Sequence, residues 1–228
     1  MIPVPNRYLK SSGWLLMVAA VIGFTGQILH LEDVPESLAH LPTFLQTAVN
    51  THVALAYASI FLLLGLPAIF LRQAGSLPGW GWAALPLLFI ALVLEMFHGP
   101  VQIIAYPMLF ADVATEAELA GVSERIVTMD PTAYPISMLV FVPIVPFLLI
   151  GLLLLGIATV RAGAFPKRVG WLTLAVLVAC VAGFFLGHLR VFAISFGYIY
   201  LAFGAYGACL AFGKRASAAT ASSNAEAA

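Results

Sequence analysis

The sequence predicts an all-α membrane protein: a polytopic helical bundle of six transmembrane helices with both termini cytoplasmic. Three observations carry this. Of 228 residues, 62% are hydrophobic and only 9% charged, against about 25% charged in soluble domains. The apolar residues gather into six runs close to the roughly 20 residues that a helix needs to cross a bilayer. The positive charges crowd around one set of helix ends. The composition excludes a soluble enzyme and a disordered chain. Ten Lys plus Arg balance ten Asp plus Glu, so the chain has no basic footprint for nucleic acid.

The spans are expected over 14–30, 50–71, 80–98, 137–160, 170–188 and 191–212. Arg7 and Lys10 precede the first run, and no small-residue cleavage site follows it, so it reads as an uncleaved span. The second opens near His52. The third can continue past Gly99-Pro100 as far as Phe110, bent by the proline. Between the third and fourth lies the longest outer loop. Its stretch 114–127 is amphipathic, with Leu119, Val122, Ile126 and Val127 on one side, and is expected to lie over the outer end as a lid. A second surface-lying segment is expected over 31–46. The last two spans are separated only by residues 187–190. Residues 1–215 form one bundle domain, and 216–228 read as a disordered, Ala/Ser-rich cytoplasmic tail. Cys180 and Cys209 both lie in apolar runs and are too few for a disulfide framework.

Orientation follows from the positive charges. Arg7, Lys10, Arg72, Arg161, Lys167, Arg168, Lys214 and Arg215 flank one side, and only Arg125 and Arg190 the other. Trp14, Trp80, Trp82 and Trp171 all open odd-numbered helices at the cytoplasmic interface, where indole rings settle. The expected location is the bacterial inner membrane, as a multi-pass protein in contact with the lipid bilayer.

A spacing recurs along the chain. Trp14 precedes His30 by 16 residues, Trp82 precedes His98 by 16, and Trp171 precedes His188 by 17. At about 1.5 Å per residue the three imidazoles share one depth near the outer boundary. The repeat suggests three helical hairpins. It also follows if each odd helix simply needs an inner anchor and an outer polar stop. Glu95 lies deep in the third span, where a carboxylate must be paired, protonated or cavity-facing. Glu95, His98 and Gln102 share a helix face if the helix continues through Pro100. Gln27 and His30 share one on the first helix.

These residues define an outward-facing polar pocket with several chemical readings. His30, His98, His188 and Glu95 form a candidate metal set, since imidazoles with a carboxylate suit Zn, Cu or Fe. His52, Gln27, Gln102 and Arg190 are the candidate ligand-binding residues around it. Two of the His at equal depth also fit axial ligation of a haem, although a transition metal suits the set better. A redox or hydrolytic activity would follow. A purely structural polar network, with Glu95 bonded to Arg190 or to a His, is the plain alternative. Prolines at 67, 86, 100, 107, 143 and 146 interrupt spans and leave open a carrier for a small molecule from the outer side. Gly197, Gly204, Gly207 and Ser195 form a small-residue stripe. The Gly197/Gly204 face suits a membrane-protein partner, as in an accessory subunit of a larger complex.

Two loop motifs carry a resemblance. Leu71-Arg72-Gln73-Ala74-Gly75 follows the second span. Arg161-Ala162-Gly163-Ala164-Phe165-Pro166-Lys167-Arg168-Val169-Gly170-Trp171 joins the fourth to the fifth. With them, the region 23–212 resembles a loose group of small bacterial multi-span membrane proteins of unknown function. The resemblance implies architecture and no activity.

Overall fold

The computed structural model describes residues 4–30, 34–128, 135–186 and 189–213. Everything regular in them is helical. Five helices are long and apolar enough to cross a membrane: Asn6–Leu29, Leu38–Gln73, Met138–Ala162, Lys167–Phe185 and Ile194–Phe212. A shorter apolar helix, Gly79–Glu95, stands between the second and third of these.

In chain order, α1 is Asn6–Leu29 and α2 is Leu41–Gln73. A tight turn of helix over Gly79–Ala83 leads into α3, Ala84–Glu95. There the regular helix stops, with the Met96 and Phe97 amides donating back to the Leu92 and Leu94 carbonyls. The path continues through the short α4 (His98–Pro100), a wide π-helical turn (Val101–Ala105) and α5 (Tyr106–Leu109). Pro100 and Pro107 each lack an amide proton, so a regular ladder cannot run through this stretch. The surface helix α6 is Glu116–Val127. The short α7 (Met138–Phe141) leads into α8 (Ile144–Ala162), followed by α9 (Lys167–Phe185) and α10 (Leu189–Phe212).

The second helix starts well before the sequence-predicted boundary. Pro42 stands in its first turn, where a missing amide proton is harmless. Leu41, Phe44 and Ala48 continue its buried face. Residues 41–46 therefore belong to α2 and not to a separate surface segment. At 33 residues the helix is about 50 Å long, some 20 Å more than a hydrocarbon core.

The long helices pack as a ring in chain order, α1, α2, α3, α8, α9, α10, and α10 returns to α1. The α1/α10 seam is the most extensive and α2/α3 among the least. This is a closed ring more than three separate hairpins. Leu16, Leu62, Leu88, Leu152, Leu155 and Phe203 fill its middle and are all nearly solvent-free. The α1/α10 seam is made by glycine. The backbones approach so closely that a Cβ on Gly13 would stand 2.6 Å from the Gly207 carbonyl oxygen and 2.6 Å from the Ala211 amide nitrogen. Small residues permit such approach between apolar helices.

That seam corrects one expectation. The Gly197/Gly204 face is covered from within the chain and is not open to a partner. Gly197 faces Phe24 and Gln27, and Gly204 faces Ala20, all on α1. Ser195 of the same stripe faces Gly183 of α9.

Other sequence features take clear structural roles. Trp14 packs edge-on against Phe212, so the start of α1 and the end of α10 lie together. The Arg161 guanidinium sits over the Trp80 ring, 5.6 Å from its centroid, a favourable cation–π placement. Gly163 caps α8 with φ of +68°, a left-handed position that glycine adopts without a Cβ penalty. Cys180 and Cys209 are both free thiols.

At the end of the ring where α1 finishes and α2 begins, α6 forms a cap. Thr115 and Glu118 make a reciprocal capping box at its start. The Ala114 and Thr115 amides and the Thr115 hydroxyl hold the Glu118 carboxyl below its ordinary range. Leu119 and Val122 bury against Leu41, Phe44, Tyr106 and Phe110 in a second small core. The Leu38 amide donates to the Glu116 carboxylate at 2.9 Å. Ile126 joins this core at its edge. Val127, expected on the same side, is instead exposed, because it is one residue past Ile126 and rotated about 100° from it.

Candidate functional site

The cap end of α1 and α2 brings two histidines together. Gly26 of α1 has no side chain, and Leu55 of α2 fills the space, 2.8 Å from where a Cβ would be. One turn further along α1 is His30, and three residues back along α2 is His52. Their rings meet edge to face, with centroids 4.9 Å apart. His52 is only 5% exposed. Its Nδ1 lies 2.8 Å from the Ala48 carbonyl oxygen. A carbonyl only accepts, so Nδ1 carries the proton and donates. The lone pair is therefore on Nε2. A backbone carbonyl on one nitrogen is the usual way to orient an imidazole that acts through the other.

A second polar group lies deeper. Glu95 is the last residue of α3 and is half-buried. Tyr200 of α10 is buried and carries a hydroxyl. That hydroxyl stands 3.5 Å from Ser59 Oγ of α2, and both groups are buried. Gly23 of α1 seats the Tyr200 ring, which fills the volume that a side chain there would need. Ser59 is seven residues beyond His52 on one face of α2, about 10 Å along the axis.

The other predicted residues are dispersed. Gln27 is half-buried and turned toward Gly197 of α10. Gln102 is buried at 3% exposure in the π-helical turn, which packs on α2. The backbone of His98 opens α4, and Arg190 is the second residue of α10. The side chains of His98 and Arg190 lie outside the described residues, as does His188 entirely. Among the described residues, no group of three or more His, Cys, Asp or Glu could hold a metal ion.

Sequence reasoning passed over Tyr200 and Ser59. Tyr200 reads as an ordinary packing aromatic in a run of them. Ser59 is a lone hydroxyl in an apolar helix, and its seven-residue offset from His52 was the available signal. A third polar cluster was also missed. The Tyr206 hydroxyl stands 2.9 Å from Thr159 Oγ1 and 3.2 Å from Thr173 Oγ1, which ties α10 to α8 and α9. Thr173 also donates to the Val169 carbonyl at 3.0 Å.

The chain matches no protein-family profile, no curated protein and no solved structure. The two loop motifs therefore carry no family assignment, and the site is read from its own chemistry.

Proposed function

We propose that this is a six-span protein of the bacterial inner membrane, with both termini cytoplasmic, that binds a transition-metal ion at its outer end. In this reading the short third helix and the broken segment after it together complete the sixth span. His30 and His52 supply the first two ligands, and His98 and His188 the next. Glu95 contributes a carboxyl group from the layer below, and Gln27, Gln102 and Arg190 line the surroundings. The metal would supply Lewis-acid or redox chemistry there, and the helical cap would limit water.

The His30–His52 distance carries the reading. A metal about 2.1 Å from an imidazole nitrogen lies about 3.2 Å from the ring centre, so two ligands at a tetrahedral angle have centres about 5 Å apart. The observed 4.9 Å fits that arrangement. Axial haem ligands face each other across the iron, with ring centres more than about 6 Å apart. The pair therefore favours one shared ion over a haem. The fixed proton on His52 Nδ1 supports the same role for Nε2.

The test is elemental analysis of protein purified in detergent. Stoichiometric Zn, Cu or Fe is expected. His30→Ala and His52→Ala should each weaken retention by at least about 100-fold, beyond what loss of an outer-shell partner costs. Undiminished metal in both variants overturns the site. A Soret band lost in both variants would replace the metal by haem.

Topology has its own test. In a background lacking Cys180 and Cys209, Glu124→Cys should react with a membrane-impermeant thiol reagent added to intact spheroplasts. Ser76→Cys should react only after lysis. Both positions are exposed. The reverse pattern inverts the orientation.

A carrier that passes a small molecule or ion inward is the second reading. The interruption of the third helix just past Glu95 favours it, because carriers build sites at broken helices.

A further inference from the structure

The end of the ring opposite α6 carries charge of one sign. Segments 1–14, 72–83 and 161–171 contain Arg7, Lys10, Arg72, Arg161, Lys167 and Arg168 and no Asp or Glu. Their helix ends gather together, since Gly65 of α2 faces Leu16, Gly81 faces Ala158 and Gly170 faces Val160. Among the described residues no carboxylate pairs with Arg7 or Lys10. Clustered cations at a membrane surface attract the anionic headgroups of that leaflet.

One place at that end has the shape to hold such a headgroup. A cavity of about 590 Å³ opens beside the first turns of α1, lined among the described residues by Pro5, Arg7, Tyr8 and Ser11. Sites for small ligands run from about 300 to 1,000 Å³. Tyr8 packs on the main core and fixes one wall. Ser11 donates its proton to the Tyr8 carbonyl at 3.1 Å, so the exposed Arg7 is the charged donor of the cavity. A planar guanidinium holds two phosphate oxygens at once. α1 begins with no side-chain cap and no acid in its first turn, so no carboxylate in that turn offsets the positive end of the helix.

A lane for acyl chains continues from the cavity. Arg7, Ser11, Trp14, Val18 and Val21 recur at intervals of four and three, so they share one face of α1. All five are exposed. Trp14 is held edge-on by Phe212 at the head of the apolar part. Val21 lies about 21 Å along the axis from Arg7, past the roughly 15 Å depth of one hydrocarbon leaflet. From this alignment we propose that the start of α1 binds an anionic phospholipid, with its phosphate on Arg7 in the cavity and its acyl chains along Trp14, Val18 and Val21. The apolar lane favours a lipid over free phosphate, which has no chains to lay there. The site needs neither the histidine pair nor a given orientation of the chain, because it follows α1 to whichever leaflet holds its start.

The experiment is thermal unfolding of the full chain, delipidated in a non-ionic detergent. Phosphatidylglycerol, phosphatidylcholine and inorganic phosphate are added separately at constant ionic strength. Phosphatidylglycerol should raise the midpoint saturably, by about 5–10 °C at 100 times its half-saturating concentration. Phosphatidylcholine and inorganic phosphate should leave it nearly unchanged. Arg7→Gln should raise the phosphatidylglycerol half-saturation about tenfold, as expected for loss of a charge-assisted contact. Ser11→Trp fills the cavity, keeps every charge and should abolish the response. Lys167→Gln removes a cation from the same end of the ring but outside the cavity, and should change half-saturation less than about threefold. Equal half-saturation in the wild type, Arg7→Gln and Ser11→Trp overturns the proposal, because the attraction would then belong to the basic end as a whole. An equal response to phosphatidylcholine overturns it by making headgroup charge irrelevant. A full response to inorganic phosphate also overturns it, since a free anion would then be the occupant.

Discussion

Gly13→Val is expected to lower the thermal midpoint of the protein by about 6–12 °C, the equivalent of about 3 kcal/mol in a chain of this size. The cause is local. A Cβ at Gly13 would meet two backbone atoms of α10 at 2.6 Å, the Gly207 oxygen and the Ala211 nitrogen. Neither can rotate away as a flexible side chain can. The helices must separate instead, and the separation spreads along the most extensive seam of the ring. Gly75→Ala is the matched control. A Cβ there meets nothing within 4 Å, and a change of less than about 0.5 kcal/mol is expected. Heating aliquots and following the monodisperse peak by size-exclusion chromatography measures both. Equal midpoints for Gly13→Val and Gly75→Ala would show that the α1/α10 approach is looser than described.

Tyr206→Ala carries the next largest effect. The side chain is fully buried and packs edge-on against Phe165 at 5.2 Å. Truncation leaves a cavity among three helices and two threonine hydroxyls without their shared partner. A loss of about 3–5 kcal/mol is expected from the ring alone. Tyr206→Phe separates the two contributions. It keeps the volume and removes only the hydroxyl, and interhelical hydrogen bonds in membrane proteins are worth about 0.6 kcal/mol on average. The same heating assay should place Tyr206→Phe close to wild type and Tyr206→Ala far below it. Two equal losses would mean that the hydroxyl network, and not packing, holds α10 to α8 and α9.

Most of the long helices were legible in the sequence, and their rotation was not. Apolar runs of the right length marked most of the long helices, and the Trp-to-His spacing set the expected depths of His30 and His98. But a helix that is apolar on all sides has no polar face to fix its rotation. Nothing in the periodicity of α1 says that His30 turns toward His52. The signal was Gly26, one turn before His30, and its meaning emerges only once Leu55 is seen to fill it. The stripe of small residues on α10 was visible, but its partner was not, because small residues fit a neighbour from the same chain as readily as one from another. Glu95 stood out by its cost. The bonded hydroxyls of Tyr200 and Ser59 did not, since Tyr and Ser are cheap enough in a membrane helix to pass as packing. The early start of α2 was hidden by Pro42, which ends helices in their interior and starts them in the first turn.

The ring closes between α1 and α10, two helices far apart along the chain. Until α10 is made, α1 has α2 as a neighbour on one side and lipid on the other. Gly13, Gly23 and Ala20 then face acyl chains, and only the arrival of α10 covers them. Tyr200 rides on α10, so its hydroxyl meets Ser59 only once α10 has been made. A stalled or truncated chain would hold its early spans, including both His30 and His52, as an open horseshoe with no floor beneath the histidines. Assembly of the interior is therefore tied to the synthesis of α10, and the glycine seam acts as the clasp. Because closure entropy grows only logarithmically with the length of chain between the ends, joining α1 to α10 costs little more than joining nearer neighbours.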